Sequence, residues 1–201
     1  MSNEYQILKN YTKNTALLWK QSRGIATDDV ADKMDAAMLD WMVELTDCLG
    51  IWIEKGLQMT DGELILADTN IGALVESWLK FFYCVHYQDY VRERQNGAGR
   101  QPMREPEELR FVDLQHFSEG RLWDTGSNWN QWVDKIRNRR NGVHSFLFRD
   151  IGTPQDFITD VDELLNFVRL IHDRLPPIED SITEFPEGYV PYPENPDENL
   201  F

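Results

Sequence analysis

The stretch Thr27–Trp52, TDDVADKMDAAMLDWMVELTDCLGIW, has the clearest helical pattern in the chain. Thr27 is suited to be an N-cap, and the two aspartates that follow it suit the positive end of the helix dipole. We therefore predict one helix of about thirty residues here. Its large apolar residues recur at steps of three or four, the spacing of one helix face: Val30, Met34, Met38, Trp41, Leu45, Leu49 and Trp52.

Similar patterns on both sides of this stretch predict further helices. The third helix is expected to begin at Asp68 or Thr69, after a turn and a short extended piece over residues 59–67. The sequence thus predicts an all-α bundle of four to five main helices over residues 1–175. Besides Thr27–Trp52, the expected helices cover about residues 3–22, 68–94, 128–146 and 153–175, with a short amphipathic piece at 109–117.

Length and composition bound the class of protein. The 201 residues fit one domain, and the 41% that are apolar are enough for a packed core. There is no apolar run of about 18 residues, and residues 1–20 lack a basic start followed by an apolar block. We therefore expect a cytoplasmic protein with no membrane contact. Cys48 and Cys84 lie in apolar helical stretches and are expected to be two buried thiols without a zinc-binding spacing.

The last 26 residues differ from the rest of the chain. Residues 176–201 contain six of the nine prolines, seven acidic residues and no basic residue, a composition unfavourable for a helix or a core. We expect an acidic, proline-rich tail that is extended or disordered. Its aromatic and apolar residues leave docking on the body or on a partner as an equal alternative.

Positive charge is concentrated in one short segment of an acidic chain. The formal net charge is −15, which disfavours a protein that coats nucleic acid over its whole surface. Residues 135–149 nevertheless contain five basic residues and no acidic one. On a helix, Arg137, Arg140 or Asn141, and His144 would line one stripe, because residues four and seven apart share a face. Such a patch favours a target with one or two phosphates.

The segment Ile136–Phe146, IRNRRNGVHSF, resembles the motif of the HEPN superfamily, an arginine and a polar residue followed four to six residues later by a histidine. Arg137 and Asn138 match the leading pair, and His144 matches the histidine. Arg139, and in a further register Arg140, are alternative motif arginines. The resemblance is best over about residues 129–175, and the N-terminal half matches only as helices.

The resemblance implies a helical bundle that forms a homodimer through the motif helix, with the two motifs facing each other across a cleft. In many members it implies a metal-independent endoribonuclease of toxin or phage-defence type, which needs no cofactor. RNA would be the substrate, and an antitoxin or another defence-system protein a partner. Arg137, Asn138 and His144 would be catalytic. The substrate-binding residues would be Lys135, Arg139, Arg140 and Asn141.

The chemistry of these side chains suits RNA cleavage. Histidine titrates near neutral pH and can move the proton of a ribose 2′-hydroxyl or of the leaving oxygen. Arginine can hold a phosphate and stabilise the charge that develops on its oxygens, and asparagine can orient either group through its amide. The expected product is a 2′,3′-cyclic phosphate.

Other functions remain open. A non-catalytic HEPN-like module would use the same residues to bind a nucleotide or a protein, and an acidic surface could imitate nucleic acid and block a basic enzyme. Arg139 and Arg140 could simply pair with carboxylates of other helices. A second basic cluster adjoins the loop over residues 95–106, where a solvated mobile loop is the plainer interpretation: Arg92, Arg94, Arg100 and Arg104.

Overall fold

The computed structural model describes residues 3–97, 104–144 and 146–192. This described part contains no β-strand, and the all-α prediction is confirmed. No helix within it has the length and apolar character needed to cross a membrane. Its α-helices are α1 (Asn3–Trp19), α2 (Asp28–Ala36), α3 (Leu39–Lys55), α4 (Asp61–Val85), α5 (Tyr87–Gly97), α6 (Phe111–Ser118), α7 (Asn128–Arg140) and α8 (Pro154–His172).

The prediction of four to five main helices is wrong. Two long helices expected from the apolar periodicity are each divided, the first into α2 and α3 and the second into α4 and α5, and the short amphipathic piece forms α6. Residues 98–103 of the expected loop over residues 95–106 lie outside the described residues. Arg100 of the second basic cluster is one of them.

Helix α4 is the central element of the bundle. It packs against α3, α7 and α8, and most of its residues are buried. The helix begins earlier than predicted because Thr60 and Glu63 form a capping box, in which each side chain accepts the other residue's backbone N–H, at 3.4 and 3.0 Å. The predicted extended piece over residues 59–67 and the predicted cap at Asp68 or Thr69 are therefore wrong.

The long helix predicted over Thr27–Trp52 is interrupted. Ala37 and Met38 leave the helical conformation, with ψ angles of 140° and 61°, and separate α2 from α3. The break changes which face of the second half is buried, and Met38 and Trp41 of the predicted apolar stripe are exposed. The residues that α3 buries instead are Leu39, Met42, Thr46 and Leu49.

Helix α8 begins where predicted, at a capping box. Thr153 Oγ1 accepts the backbone N–H of Asp156 at 3.2 Å, and the Asp156 carboxylate accepts the backbone N–H of Thr153 at 2.9 Å. These hydrogen bonds lower the pKa of Asp156. Helix α8 packs against α1 and α4, so the first and last long helices share one core.

The described part of the acidic tail lies on the body. A short 3-10 turn after α8 buries Ile178 in the core. Asn14 of α1 bonds both backbone groups of Val190, at 2.5 and 3.2 Å. Of the alternatives for the tail, docking on the body therefore holds up to residue 192, and residues 193–201 are outside the described residues.

The two cysteines lie in different environments. Cys84 is buried, and burial raises the pKa of its thiol to about 12. Cys48 is exposed, so the expectation of two buried thiols is wrong for this residue. Both cysteines are free.

Candidate functional site

Helix α7 carries the basic segment but ends before its histidine. The helix stops at Arg140, a 3-10 turn follows over Asn141–Val143, and His144 lies beyond it with φ −87° and ψ 85°. The predicted helix to residue 146 is thus too long. The predicted stripe from Arg137 to His144 is also wrong as a single helical face, because its last member is not helical.

Arg139 belongs to the core of the bundle. Its side chain is only 10% exposed and donates to Asp160 of α8 at 2.9 Å and to Asp156 at 3.3 Å. Gly152, with φ 68°, makes room for the guanidinium, because a Cβ at this position would overlap it. Arg139 therefore joins the last turn of α7 to the first two turns of α8. Pairing with carboxylates of another helix was the alternative interpretation of this arginine.

Asp160 is the centre of a buried charge cluster between α4, α7 and α8. Besides Arg139, it accepts Trp132 Nε1 at 2.9 Å and Lys135 Nζ at 2.5 Å. Asp68 of α4 is 1% exposed, and neither of its carboxyl oxygens has a hydrogen-bond partner among the described residues. Burial raises the pKa of Asp68 to about 7, although the positive charge of Arg139 acts against the rise. The members of the buried charge cluster are Asp68, Arg139 and Asp160, and the more exposed Lys135 and Asp156 lie at its solvent edge.

Arg137 and Asn138 are joined through Asp134, one turn earlier on α7. Asp134 accepts Arg137 Nη2 at 2.5 Å and Asn138 Nδ2 at 2.8 Å, and Gln115 of α6 accepts Arg137 Nε at 3.0 Å. The Arg137 side chain is 23% exposed. Three of its five N–H groups have no partner in the described part of the chain. The structure thus brings the predicted leading pair together and adds Asp134 and Gln115, which the sequence pattern does not reveal.

Arg140 is bound to the central helix. Its Nη2 donates to Glu76 of α4 at 2.8 Å, and Glu76 also accepts Lys80 Nζ at 3.1 Å. The aliphatic part of Arg140 packs on Gly72, where a Cβ would lie 2.7–2.9 Å from the Arg140 side-chain carbons. Like Arg139, this arginine has a carboxylate partner on another helix.

His144 begins an exposed segment. Its backbone N–H donates to the carbonyl of Asn141 at 3.2 Å, and no described residue forms a hydrogen bond or ion pair with its exposed imidazole. Phe146 and Phe148 are almost completely exposed, and Leu147 is more than half exposed. The exposed His144 is therefore followed closely by three exposed apolar residues, Phe146, Leu147 and Phe148, which we call the Phe146–Phe148 loop.

Arg137 and His144 lie apart within one chain. The helical and 3-10 rises place their backbones about 12 Å from each other along the axis of the segment. Side chains on a helix point towards its N-terminus, and Arg137 bonds Asp134 on that side. The arginine therefore points away from the histidine, and a single copy does not offer both groups to one phosphate.

The carboxylates that hold the segment have a sequence signal of their own. Asp68 and Asp160 each stand three or four residues from core residues of the same helix, so both lie on apolar faces. A carboxylate on such a face indicates a buried acid, which either pairs with a cation, as Asp160 does with Arg139, or becomes easier to protonate, as Asp68 does. Arg139, three residues after the buried Ile136, is in the matching position on α7.

Comparisons with known proteins identify no relative. No family model, no curated protein and no solved structure matches this chain. Among the described residues, no group of three or more histidine, cysteine, aspartate or glutamate side chains is placed to hold a metal ion. The HEPN resemblance therefore rests on the residues of the segment Ile136–Phe146 alone.

Proposed function

We propose that this protein is a cytoplasmic, metal-independent endoribonuclease that acts as a homodimer. The observation that carries the proposal is the exposed imidazole of His144, which follows a helix on which Asp134 holds Arg137 and Asn138. Arg137 keeps N–H groups for a phosphate, and an imidazole transfers protons near neutral pH. Both groups lie in residues 135–149, a segment of this acidic chain with five basic residues and no acidic one.

The proposed reaction uses only these side chains. One imidazole takes the proton of the ribose 2′-hydroxyl while its oxygen attacks phosphorus, and the bond from phosphorus to the 5′-oxygen breaks. The same imidazole, now protonated, gives this proton to the departing 5′-oxygen, and Arg137 stabilises the charge on the phosphate oxygens. The products are a 2′,3′-cyclic phosphate and a 5′-hydroxyl.

A second copy of the chain supplies what one copy lacks. Because Arg137 and His144 are about 12 Å apart along the segment, two antiparallel segments bring Arg137 of one protomer near the partner's His144. The Phe146–Phe148 loop provides apolar surface for this contact to bury. Each of the two sites then combines one Arg137 with one imidazole from the partner.

The HEPN resemblance adds a biological setting and further substrate contacts. The proposed enzyme belongs to a toxin or phage-defence system, and an antitoxin or another defence-system protein restrains it. Lys135 and Asn141 are the proposed additional contacts to RNA. Arg139 and Arg140 are assigned to the fold, because carboxylates of other helices hold their guanidinium groups.

Cleavage of a labelled RNA by the purified protein in EDTA tests the proposal. We expect His144→Ala to lower the cleavage rate by about 10²–10⁴-fold, the usual contribution of a positioned acid or base. His86→Gln is the matched control, since this histidine lies outside the segment and bonds the Arg174 carbonyl at 2.8 Å. Cleavage that is unchanged in His144→Ala contradicts the assignment.

Complementation between two inactive variants tests the shared site. Arg137→Ala and His144→Ala are expressed together, so that each mixed dimer contains one intact pair of groups. Random pairing then restores about a quarter of the wild-type activity, since half of the dimers are mixed and each has one of two sites. If no activity returns, the site is not shared between protomers.

A non-catalytic module that binds a nucleotide or a protein is the second candidate. The separation of Arg137 and His144 within one chain favours it, because one copy then lacks the paired groups that cleavage needs. This candidate predicts that the wild type binds RNA, a nucleotide or a partner protein tightly and does not cleave RNA.

A further inference from the structure

A basic groove with a volume of about 400 Å³ lies where the end of α5 meets α6. Its cationic residues come from α5, from the residues before α6, from α6 and from the turn after it. The chain as a whole has 35 acidic and 20 basic residues, so a groove with four arginines contrasts with the rest of the molecule. We call it the arginine groove, and its polar lining is Arg94, Arg104, Arg110, Arg121, His116 and Asp113.

Two of these arginines have no carboxylate partner in the described part of the chain. Arg110 binds Asp113 with two hydrogen bonds, at 2.8 and 3.0 Å, and lowers the pKa of that carboxyl. Arg121 pairs with a glutamate of α5. Among the described residues, Arg94 and Arg104 form no ion pair. Neither guanidinium is therefore held by a carboxylate, although Asp113 also lines the groove and the charge of Arg104 helps to lower the pKa of this aspartate.

Contacts with an aromatic ring help to fix two arginine side chains of the groove before any ligand binds. Phe117 of α6 lines it, and the guanidinium carbons of Arg121 and Arg94 lie 4.3 and 5.9 Å from the centre of this ring. Tyr90 packs on Phe117 at 5.3 Å and donates its hydroxyl hydrogen to the Arg104 carbonyl at 2.5 Å. Arginines that are held in this way lose less conformational entropy when they bind an anion.

We propose that the arginine groove binds the di- or triphosphate group of a small ligand such as a nucleoside polyphosphate. Guanidinium groups match phosphate oxygens in geometry and charge. The two unpaired arginines stand on separate elements, an arrangement that suits a chain of phosphates better than a single carboxylate. A volume of about 400 Å³ lies within the range of small-molecule sites.

A long nucleic-acid strand fits this groove less well than a small polyphosphate does. Beyond the groove, a strand would run over the surface of a chain whose net charge is −15. Repulsion from that surface opposes a polymer of phosphates. A compact anion stays within the groove and avoids the repulsion.

Calorimetric titration of the full chain in EDTA at low salt, with tripolyphosphate and with ATP, tests this site. We expect one molecule bound per chain, and an affinity that falls as salt is added. Equal affinities mean that the phosphate chain alone is recognised, and tighter binding of ATP means that the nucleoside adds contacts. If neither probe binds, or if only a single-stranded RNA binds, the proposal is overturned.

Variants locate the binding in the arginine groove. We expect the double variant Arg94→Gln with Arg104→Gln to bind at least about tenfold more weakly. Arg92→Gln is the matched control on the same helix, because this residue pairs with Asp89 and does not line the groove. Undiminished affinity in the double variant overturns the proposal.

Two further measurements keep this test decisive. Thermal unfolding checks the fold of each variant, and Arg104→Gln alone, at an exposed residue, takes the place of the double variant if that one does not fold. The arginine groove shares no residue with the segment that contains Arg137 and His144. Binding of polyphosphate is therefore measured independently of RNA cleavage, and either proposal can fail without the other.

Discussion

Asp68 sets the charge of the buried charge cluster. With every member ionised, the cluster has two carboxylates, Asp68 and Asp160, against the single cation Arg139. A proton on Asp68 makes the cluster neutral, which agrees with the rise of its pKa to about 7. The charge of this part of the core therefore changes close to physiological pH.

Replacement of Asp68 by asparagine removes this titration. The pKa of about 7 in the folded chain lies above the ordinary 3.8, so the folded state holds the proton more tightly and loses stability as the pH rises between these values. We expect the stability gain of Asp68→Asn over the wild type to be about 2–3 kcal/mol larger at pH 8 than at pH 5. Urea unfolding at both pH values measures it. A gain independent of pH would mean that Asp68 does not ionise in this range.

Arg139 and Arg137 are expected to contribute differently to the free energy of unfolding. Removal of the Arg139 side chain leaves the buried Asp160 with less compensation, and Arg139→Ala is expected to lower the free energy of unfolding by about 3–5 kcal/mol. Arg137→Ala, which breaks a partly exposed pair with Asp134, is expected to cost no more than about 1 kcal/mol. Denaturant unfolding compares the two variants, and equal losses would contradict a core role for Arg139.

Helices α4 and α7 approach closely because residue 72 has no side chain. The Arg140 stem occupies the space in which a Cβ of residue 72 would lie. We expect Gly72→Ala to lower the free energy of unfolding by about 1–3 kcal/mol through overpacking. Gly62→Ala, in the first turn of the same helix with nothing within 4 Å of the new Cβ, is expected to raise it by up to about 1 kcal/mol. Thermal unfolding distinguishes the two, and effects of the same sign would contradict this contact.

Helix boundaries were predictable where they depend on neighbouring residues. The capping box of Thr153 and Asp156 begins α8 where expected, and α7 begins at the predicted residue 128. The break at Ala37 and Met38 was not predictable, because both residues are good helix formers and α2 and α3 pack separately on α4.

The end of α7 was the most consequential error for the candidate site. Gly142 is buried against Ile151, where a Cβ would lie 3.1 Å from the isoleucine side chain. Glycine is a poor helix former, and Gly142 lies in the 3-10 turn that follows α7. This turn places His144 off the helical face. Apolar periodicity continues through this point, so it does not show the end of the helix.

At the scale of the whole molecule, the described end of the tail connects the first and last long helices. The ring of Tyr192 lies 4.6 Å from Tyr11 of α1 and 4.5 Å from His172 of α8. Burial in this contact lowers the pKa of His172, so the neutral imidazole is favoured. Asn14 adds hydrogen bonds to both backbone groups of Val190.

Loss of the Asn14 side chain is expected to release this part of the tail. Asn14→Ala leaves two backbone groups of Val190 without their partner, at a cost of about 1–3 kcal/mol. Backbone hydrogen exchange over residues 186–192 is expected to become about tenfold faster or more. Asn166→Ala, at an exposed residue of α8 that bonds Glu163, is the control. Equal exchange in the two variants would show that the tail does not depend on Asn14.

By itself, the sequence determined an all-α chain with a net charge of −15 and one concentrated basic segment. Periodicity, caps and local charge are properties of residues near one another in sequence. Only the tertiary structure decided which charges stay free: Arg139 and Arg140 pair with carboxylates of other helices, whereas Arg94 and Arg104 meet in one groove. The physical reason is that an ion pair depends on distance in space, and residues far apart in sequence supply the partners.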